Sequence, residues 1–303
     1  MLQRFDYQKN MDALKQALLK RLGGTGDFPT PVPELVLHRF DAPNDPKPIF
    51  YEPVVVVVVQ GKKCVQIGDM EHVYGEHSYF ITGVDLPVTS SIMEASAEKP
   101  YLSLSFPVDR KRIAQLATEV RPTPYYGSSE RRGGMIQRLA PEFLDAIIRL
   151  VEFSEQPERP AVMESLLWQE IHYRLLTSQF GNQLRSLCMS GSLGNLVTQA
   201  ITWLKENYNK PVQVEELASR FNMAPSTFHK HFREVTTVSP LQYQKRLRLS
   251  EAQQLMLAGN HDVSQAAYAV GYQSPTQFSR EYKRLFGESP RENVQRMREL
   301  SLH

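Results

Sequence analysis

Cysteine is nearly missing from this chain: Cys64 and Cys188 are the two thiols among 303 residues. Two thiols cannot build a disulfide framework, so a small secreted scaffold is excluded and a reduced, cytoplasmic setting is expected. Long apolar runs are missing too. The longest is the six valines Val54–Val59, far short of the ~18 residues that mark a membrane-spanning helix, so no membrane partner is expected. The first twenty residues interleave charged and apolar groups without a continuous apolar stretch, which argues against a signal peptide. An excess of one charge is also lacking, since 35 Lys and Arg face 33 Asp and Glu for a net +2.

What is present is an ordinary globular composition, 41% hydrophobic and 22% charged, in a chain long enough for two domains. The charge is unevenly spread. From Asn195 onward there are 14 Lys and Arg against 10 Asp and Glu, a net +4, whereas the preceding residues carry 21 against 23, a net −2. A basic C-terminal part suits nucleic acid, although +4 alone is a weak signal.

The first 138 residues or so read as strand-rich. A short helix, Met11 to Arg21, ends at Gly23-Gly24, and Pro29, Pro31 and Pro33 follow. Strand-like runs occur at Leu35–His38, Val54–Val59, Cys64–Ile67, Ser78–Ile81 and Tyr101–Phe106, with turns at Gly61-Lys62-Lys63 and Gly68-Asp69. The β-branched valine run suits a strand buried on both faces. Many short strands with tight turns predict an antiparallel barrel or jelly roll. Two helical stripes follow, Phe143, Ile147, Leu150, Val151 and Leu166, Leu167, Ile171, Leu175. They are expected to pack on the barrel or to pair with a second subunit as a homodimer. Small polar residues between Asn182 and Asn195 suggest a linker, which divides the chain into 1–185, a linker at 186–194, and 195–303.

The last part is helical and repeats itself. Val214, Leu217, Ala218 and Phe221 lie at i, i+3, i+4, i+7; the turn Asn222-Met223-Ala224 follows; a second helix opens at Pro225, a good first-turn position for proline. Its buried side carries Phe228 and Phe232, leaving Ser226, Thr227, His229, Lys230 and Arg233 on the free face. Val263, Ala266, Ala267 and Val270 then repeat the first stripe, Gly271 marks the turn, and Ser274-Pro275 opens the next helix with Ser274 as N-cap. Phe228 to Phe278, Phe232 to Tyr282 and Pro240 to Pro290 are each 50 residues apart. The offset shifts by one residue ahead of the recognition helix. Helix, short turn, helix with a polar and basic free face is the arrangement that enters a DNA major groove, ~12 Å wide. A long helix, Leu241 to Leu257, spans ~25 Å between the units and would let one chain read two groove segments over ~17 to 20 base pairs.

These residues resemble the AraC/XylS family of transcription regulators. Ala269-Val270-Gly271-Tyr272, Phe278-Ser279-Arg280 and Phe286-Gly287-Glu288-Ser289-Pro290 match the family's second-unit signature, and Arg246-Leu247 with Ala252 and Leu255 matches its connecting helix. Ala224 departs from the usual serine cap of the first recognition helix. The resemblance implies a transcription regulator, activator or repressor, that binds double-stranded DNA and engages RNA polymerase. It places base contacts on Ser226, Thr227, Lys230 and His229 in the first recognition helix, and on Thr276, Gln277 and Arg280 in the second, with Ser274 as cap. Arg233, Lys283 and Arg284 further along suit phosphates. Arg and Lys match guanine and Gln matches adenine.

The strand-rich half is similar to the cupin-like N-terminal domain of such regulators, through Tyr51-Glu52-Pro53, the valine strand, Gln60-Gly61-Lys62-Lys63 and Gly75-Glu76-His77. The fold expected is therefore α+β: a cupin-like β-barrel with flanking helices, then an all-α pair of helix-turn-helix units joined by a long helix. A small-molecule effector in the barrel is the expected control. The alternative is a cupin-type metal enzyme with an accessory DNA-binding tail. Against it, no His-X-His pair occurs in the N-terminal half, and His72 and His77, five apart, point to opposite faces of a continuous strand. No cofactor is expected. Cys64, following Lys62 and Lys63, is a candidate electrophile or oxidant sensor if their charge lowers its pKa; the competing reading is a small buried strand residue.

Overall fold

The computed structural model describes residues 6–122 and 133–301, so the outermost bounds of the expected division, at 1 and 303, lie outside them. The first helix, α1 (Tyr7–Arg21), is capped by Asp6, whose side chain accepts the Lys9 N–H, and it buries Met11, Leu14 and Leu18. Among the described residues ten strands follow: β1 (Gly26–Pro29), β2 (Val36–Phe40), β3 (Lys47–Tyr51), β4 (Val54–Gln60), β5 (Lys62–Ile67), β6 (Met70–Gly75), β7 (Ser78–Thr82), β8 (Leu86–Glu94), β9 (Tyr101–Pro107) and, after α2 (Arg110–Glu119), β10 (Gly134–Arg138). They form two antiparallel sheets, ordered β1-β2-β9-β4-β7-β10 and β3-β8-β5-β6. The expected cupin-like barrel is thus a sandwich of two facing sheets.

The valine strand β4 lies inside the larger sheet between β9 and β7, and Val55 to Val59 are all buried. This is the place for a strand without a polar face. The remaining helices are α3 (Pro141–Glu155), α4 (Ala161–Leu176), α5 (Gly181–Cys188), α6 (Leu193–Glu206), α7 (Val214–Arg220), α8 (Pro225–Thr236), α9 (Pro240–Leu257), α10 (Val263–Ala269), α11 (Pro275–Phe286) and α12 (Pro290–Ser301). On α3, Phe143, Ile147, Leu150 and Val151 are buried as their spacing implies, but on α4 Leu166 joins Val162 and Met163 on an exposed face.

The stretch expected as a linker, 186–194, includes helical residues. Residues up to Cys188 belong to α5, and α6 starts at Leu193, which leaves Met189–Ser192 between helices. This stretch is not a loose spacer. Ser192 caps α6 by accepting the Asn195 N–H, and its hydroxyl donates to Ser186 O. Asn195 and Thr198 side chains both donate to Leu187 O. The small polar residues here are caps and close-packing contacts: a Cβ on Gly194 would meet Ser186 O at 2.7 Å.

Among the described residues two hydrophobic cores result. One runs continuously from α1 through the sandwich and α3–α5 into α6, α7, α8 and the start of α9. The other is separate and holds Leu249, Ala252 and Met256 of α9 together with Ala266, Ala267, Val270, Phe278 and Tyr282.

Candidate nucleic-acid interface

Each recognition helix owes its orientation to two aromatic side chains one turn apart. In α8 these are Phe228 and Phe232, and in α11 Phe278 and Tyr282; all four are fully buried. Fixing that side fixes the opposite one. Ser226, Thr227, His229, Lys230 and Arg233 of α8 are exposed, as are Thr276, Gln277, Arg280, Lys283 and Arg284 of α11. Ser274 is half-buried and caps α11, its hydroxyl accepting the Gln277 N–H at 3.4 Å. It serves helix geometry, and the exposed groups beyond it are the ones free to meet a ligand. Ala224 gives α8 no side-chain cap, as its identity implies.

The turns ahead of the two helices superimpose by chemistry. Asn222 and Gly271 are both left-handed, at φ 53° and 89°. Met223 N–H donates to Ala218 O and Tyr272 N–H to Ala267 O, both at 3.0 Å. This pair lies at an offset of 49, while the helices begin at Pro225 and Pro275, 50 apart, which locates the one-residue shift in the turn between Tyr272 and Pro275. Gly271 has a second reason to lack a side chain, because a Cβ there would sit 2.1 Å from Asn209 O.

The units are held in register by α9, eighteen residues long and therefore ~27 Å. Gln244 Nε2 donates to Tyr208 O at 2.9 Å and to Lys210 O at 2.7 Å. One turn on, Arg248 donates to the same two carbonyls and to Gly271 O at 3.2 Å. The turn before the first unit and the turn inside the second are thus clamped to one helix. Glu281 adds a tie on α11, accepting from Lys245 of α9 at 3.0 Å and from Tyr272 Oη at 2.8 Å. Burial works against its charge, but these donors and Gln277 prevail and hold its pKa below the usual carboxylate range. Sequence reasoning missed Gln244, Arg248 and Glu281, because their role lies in carbonyls brought close only by the fold.

The sandwich grips the first unit. Gly133 N–H donates to Val235 O at 2.7 Å, at the end of α8. Asp85, 4% exposed, takes Lys205 of α6 and Arg110 of α2 on its carboxylate, and its carbonyl accepts Tyr243 Oη of α9 at 2.8 Å. Phe50 of β3 meets the Tyr243 ring edge-on, 5.4 Å between centroids.

Between the sheets lies a cavity of about 400 Å³, lined by Phe40, Ile49, Tyr51, Val54, Val56, Lys63 and Tyr101 among others. Cys64 does not join it. The thiol is buried and donates to Glu71 Oε1 at 3.4 Å, and burial followed by that carboxylate pushes its pKa up to about 11. The sequence expectation of a pKa lowered by Lys62 and Lys63 is therefore corrected: Cys64 faces an acid and stays a thiol. Cys188, too, is pushed up to about 12 by burial. His72 lies in β6 and His77 in the turn after it, with its ring 5.4 Å from that of Tyr7. Among the described residues no group of three or more His, Cys, Asp or Glu is placed to hold a metal ion, and no helix is long and apolar enough to cross a membrane.

Comparison with known proteins fits this geometry. Residues 31–183 match the AraC-type transcriptional regulator N-terminus, and residues 217–296 match a helix-turn-helix domain. The HTH-type transcriptional activator RhaS of Pectobacterium carotovorum is 30% identical over 152 residues, 49% of this chain and 50% of that protein. RhaS of Salmonella schwarzengrund is 33% identical over 110 residues, 36% and 40% of the two chains. The chain spans about half or less of the length of the curated relatives it matches. Among solved structures, ToxT from Vibrio cholerae in complex with an unsaturated fatty acid has the same fold, with TM-score 0.57 and 12% identity over 90% of this chain and 96% of that one. With an N-terminal match covering half its length and the paired helix-turn-helix units behind it, this chain belongs to the AraC-type transcriptional regulators.

Proposed function

We propose that this chain is a sequence-specific DNA-binding regulator, an activator that works with RNA polymerase in the cytoplasm, whose two recognition helices read neighbouring major-groove segments under the control of a small molecule held between the sheets. The observation that carries the reading is the outward face of both recognition helices. Ser226, Thr227, His229, Lys230 and Arg233 on one, and Thr276, Gln277, Arg280 and Lys283 on the other, are exposed while their aromatic opposites are buried. Lys230 and Arg280 supply guanine donors, Gln277 an adenine partner, and Arg233 and Lys283 phosphate contacts. The exposed Val162, Met163 and Leu166 of α4 offer the face for the expected homodimer.

The control works through β3, one wall shared by two compartments. Alternate residues of a strand face opposite ways. Tyr51 lines the cavity, Phe50 packs on Tyr243 of α9 and, with Pro48, faces Leu285 and Phe286 of α11, and the half-exposed Ile49 borders both compartments. A ligand that favours one position of β3 biases how α9 and α11 are seated, provided it binds the two arrangements unequally. ToxT, of the same fold, binds a fatty acid, which supports a small-molecule effector here.

The test is selection of the full chain on a randomised duplex library at ~150 mM salt. Two short conserved blocks about one helical turn, ~10 base pairs, apart are expected. Binding that is salt-sensitive but without any motif would overturn the reading in favour of a constitutive architectural binder.

A further inference from the structure

The cavity between the sheets carries an uneven charge inventory. Three ionisable groups of formal charge line it besides His38: Asp27, Glu52 and Lys63. Both acids are already matched. Asp27 is bonded to His38 Nδ1 at 2.6 Å, and the other ring nitrogen of His38 meets Ser105 Oγ at 2.7 Å. Glu52 pairs with Lys205 of α6 at 3.2 Å. Lys63 is the member left over. Its ammonium makes no ion pair among the described residues; it lies 5.5 Å from the centre of the Tyr51 ring, bonds the Tyr51 hydroxyl and feels Asp27 only at longer range, which leaves N–H donors unused. The Tyr51 hydroxyl in turn donates to Ser90 Oγ at 3.1 Å.

A second, independent feature points the same way. Tyr101 lines the cavity at 1% exposure, and its hydroxyl has no hydrogen-bond partner among the described residues. Ser103, two residues along the same strand, is near enough to favour the charged form of that hydroxyl but does not complete its hydrogen bonding. A buried hydroxyl left unpaired costs free energy, and such groups mark places that another molecule completes. The remainder of the lining is apolar: Phe40, Ile49, Val54 and Val56. At about 400 Å³ the cavity has the size of a small-molecule site.

We propose that the effector is an amphipathic monoanion, a carboxylate on an apolar body, with its carboxylate bonded by Lys63 and Tyr101 and its body laid against Phe40, Ile49, Val54 and Val56. This rests on the reading of the cavity as the effector site and adds the ligand's chemical class. A single ammonium with one hydroxyl matches the charge and the acceptor count of a carboxylate. A phosphate would call for more donors, and a neutral polyol would leave the Lys63 charge offset only by Asp27, which is already bonded to His38. Because Ile49 and Tyr51 belong to β3, the same molecule touches the wall that Phe50 shares with α9.

The test uses the full chain and matched probe pairs, decanoate with 1-decanol and 4-phenylbutyrate with 4-phenylbutan-1-ol, with affinity read by calorimetry. The acid of at least one pair is expected to bind about tenfold or more tighter than its alcohol, the scale of one charge-assisted hydrogen bond. Lys63→Met keeps the aliphatic stem and is expected to bring the acid-to-alcohol ratio close to one, while Lys63→Arg restores it. Tyr101→Phe is expected to weaken the acid and leave the alcohol unchanged. Equal binding of acids and alcohols by the wild-type chain overturns the anion proposal and keeps the cavity as an effector site. An acid preference that survives Lys63→Met overturns the assignment to Lys63. Absence of binding by all four probes overturns both the proposal and the effector reading on which it rests.

Discussion

The two helix-turn-helix units share a plan, but they are held in place by different means. The second obeys local rules. Ser274 caps α11, Gly287 takes the left-handed position at its end with φ 80°, Gly271 takes the one in its turn, and the unit's core is its own. The first breaks each of those rules. Ala224 offers no cap, Thr237 sits at φ 66° where glycine is preferred, and Asn222 fills the turn. Its core is continuous with the sandwich. Long-range contacts stand in for local propensity: Gly133 N–H satisfies Val235 O, Thr237 rests on the Gly68 turn, and Asp85 gathers Lys205, Arg110 and Tyr243. A unit whose stability is borrowed from the sandwich is the one on which the sandwich can act most strongly, whereas the second unit, with a core of its own, meets it through α9 and through the β3 wall that faces Leu285 and Phe286.

Breaking the second unit at its turn should have the largest effect. Gly271→Ala adds a left-handed penalty and a clash with Asn209 O, and is expected to cost about 3 kcal/mol, read by urea unfolding; Asn222→Gly at the matching turn should change stability by less than about 1 kcal/mol. Next comes the sandwich contact. Asp85→Asn removes the charge that Lys205 and Arg110 share and is expected to cost about 2 kcal/mol, reduced from the value for a fully buried pair because both cations are partly exposed. Hydrogen exchange should then rise in α8 and remain unchanged in α11. Equal loosening of both helices would refute the asymmetry. The caps give a smaller, opposed pair: Ala224→Ser should stabilise α8 and Ser274→Ala destabilise α11, each by about 1 kcal/mol. The smallest effect is acid sensitivity. Because the Glu281 pKa is lowered in the folded chain, its contribution is present above pH 4.5 and is lost as pH falls through the lowered value. Protection of α11 should decline there after correction for intrinsic exchange, and Glu281→Gln should remove that part of the decline.

How far the sequence announced this structure depends on whether a residue's role is local. The 50-residue repeat and the aromatic pairs were readable because helical spacing and turn chemistry are short-range, and the recognition-helix faces follow from them. The valine strand was readable from β-branching alone. The strands β1, β3, β6, β8 and β10 were not. Pro48 in β3, Pro87 in β8 and the polar Glu71 and His72 of β6 weaken any strand pattern, and partners far along the chain supply what the pattern lacks. The helix ends at 186–194 were not readable, because caps and close helix contacts use the same small residues as flexible loops. Lys63 could be seen in the sequence only as part of a turn; that its charge goes unmatched depends on Asp27 and Glu52 already having His38 and Lys205.

The clamp of Gln244 and Arg248 on the carbonyls of Tyr208 and Lys210 makes α9 a fixed phase relation between two reading heads. One residue inserted into α9 beyond Arg248 would swing the second head by ~100° and carry it off the groove, while three or four would nearly return it to its bearing. On the proposed function, operator spacing is therefore not a soft preference that flexibility can average out. It is periodic, set by the pitch of two helices, one of protein and one of DNA, that have to come into step.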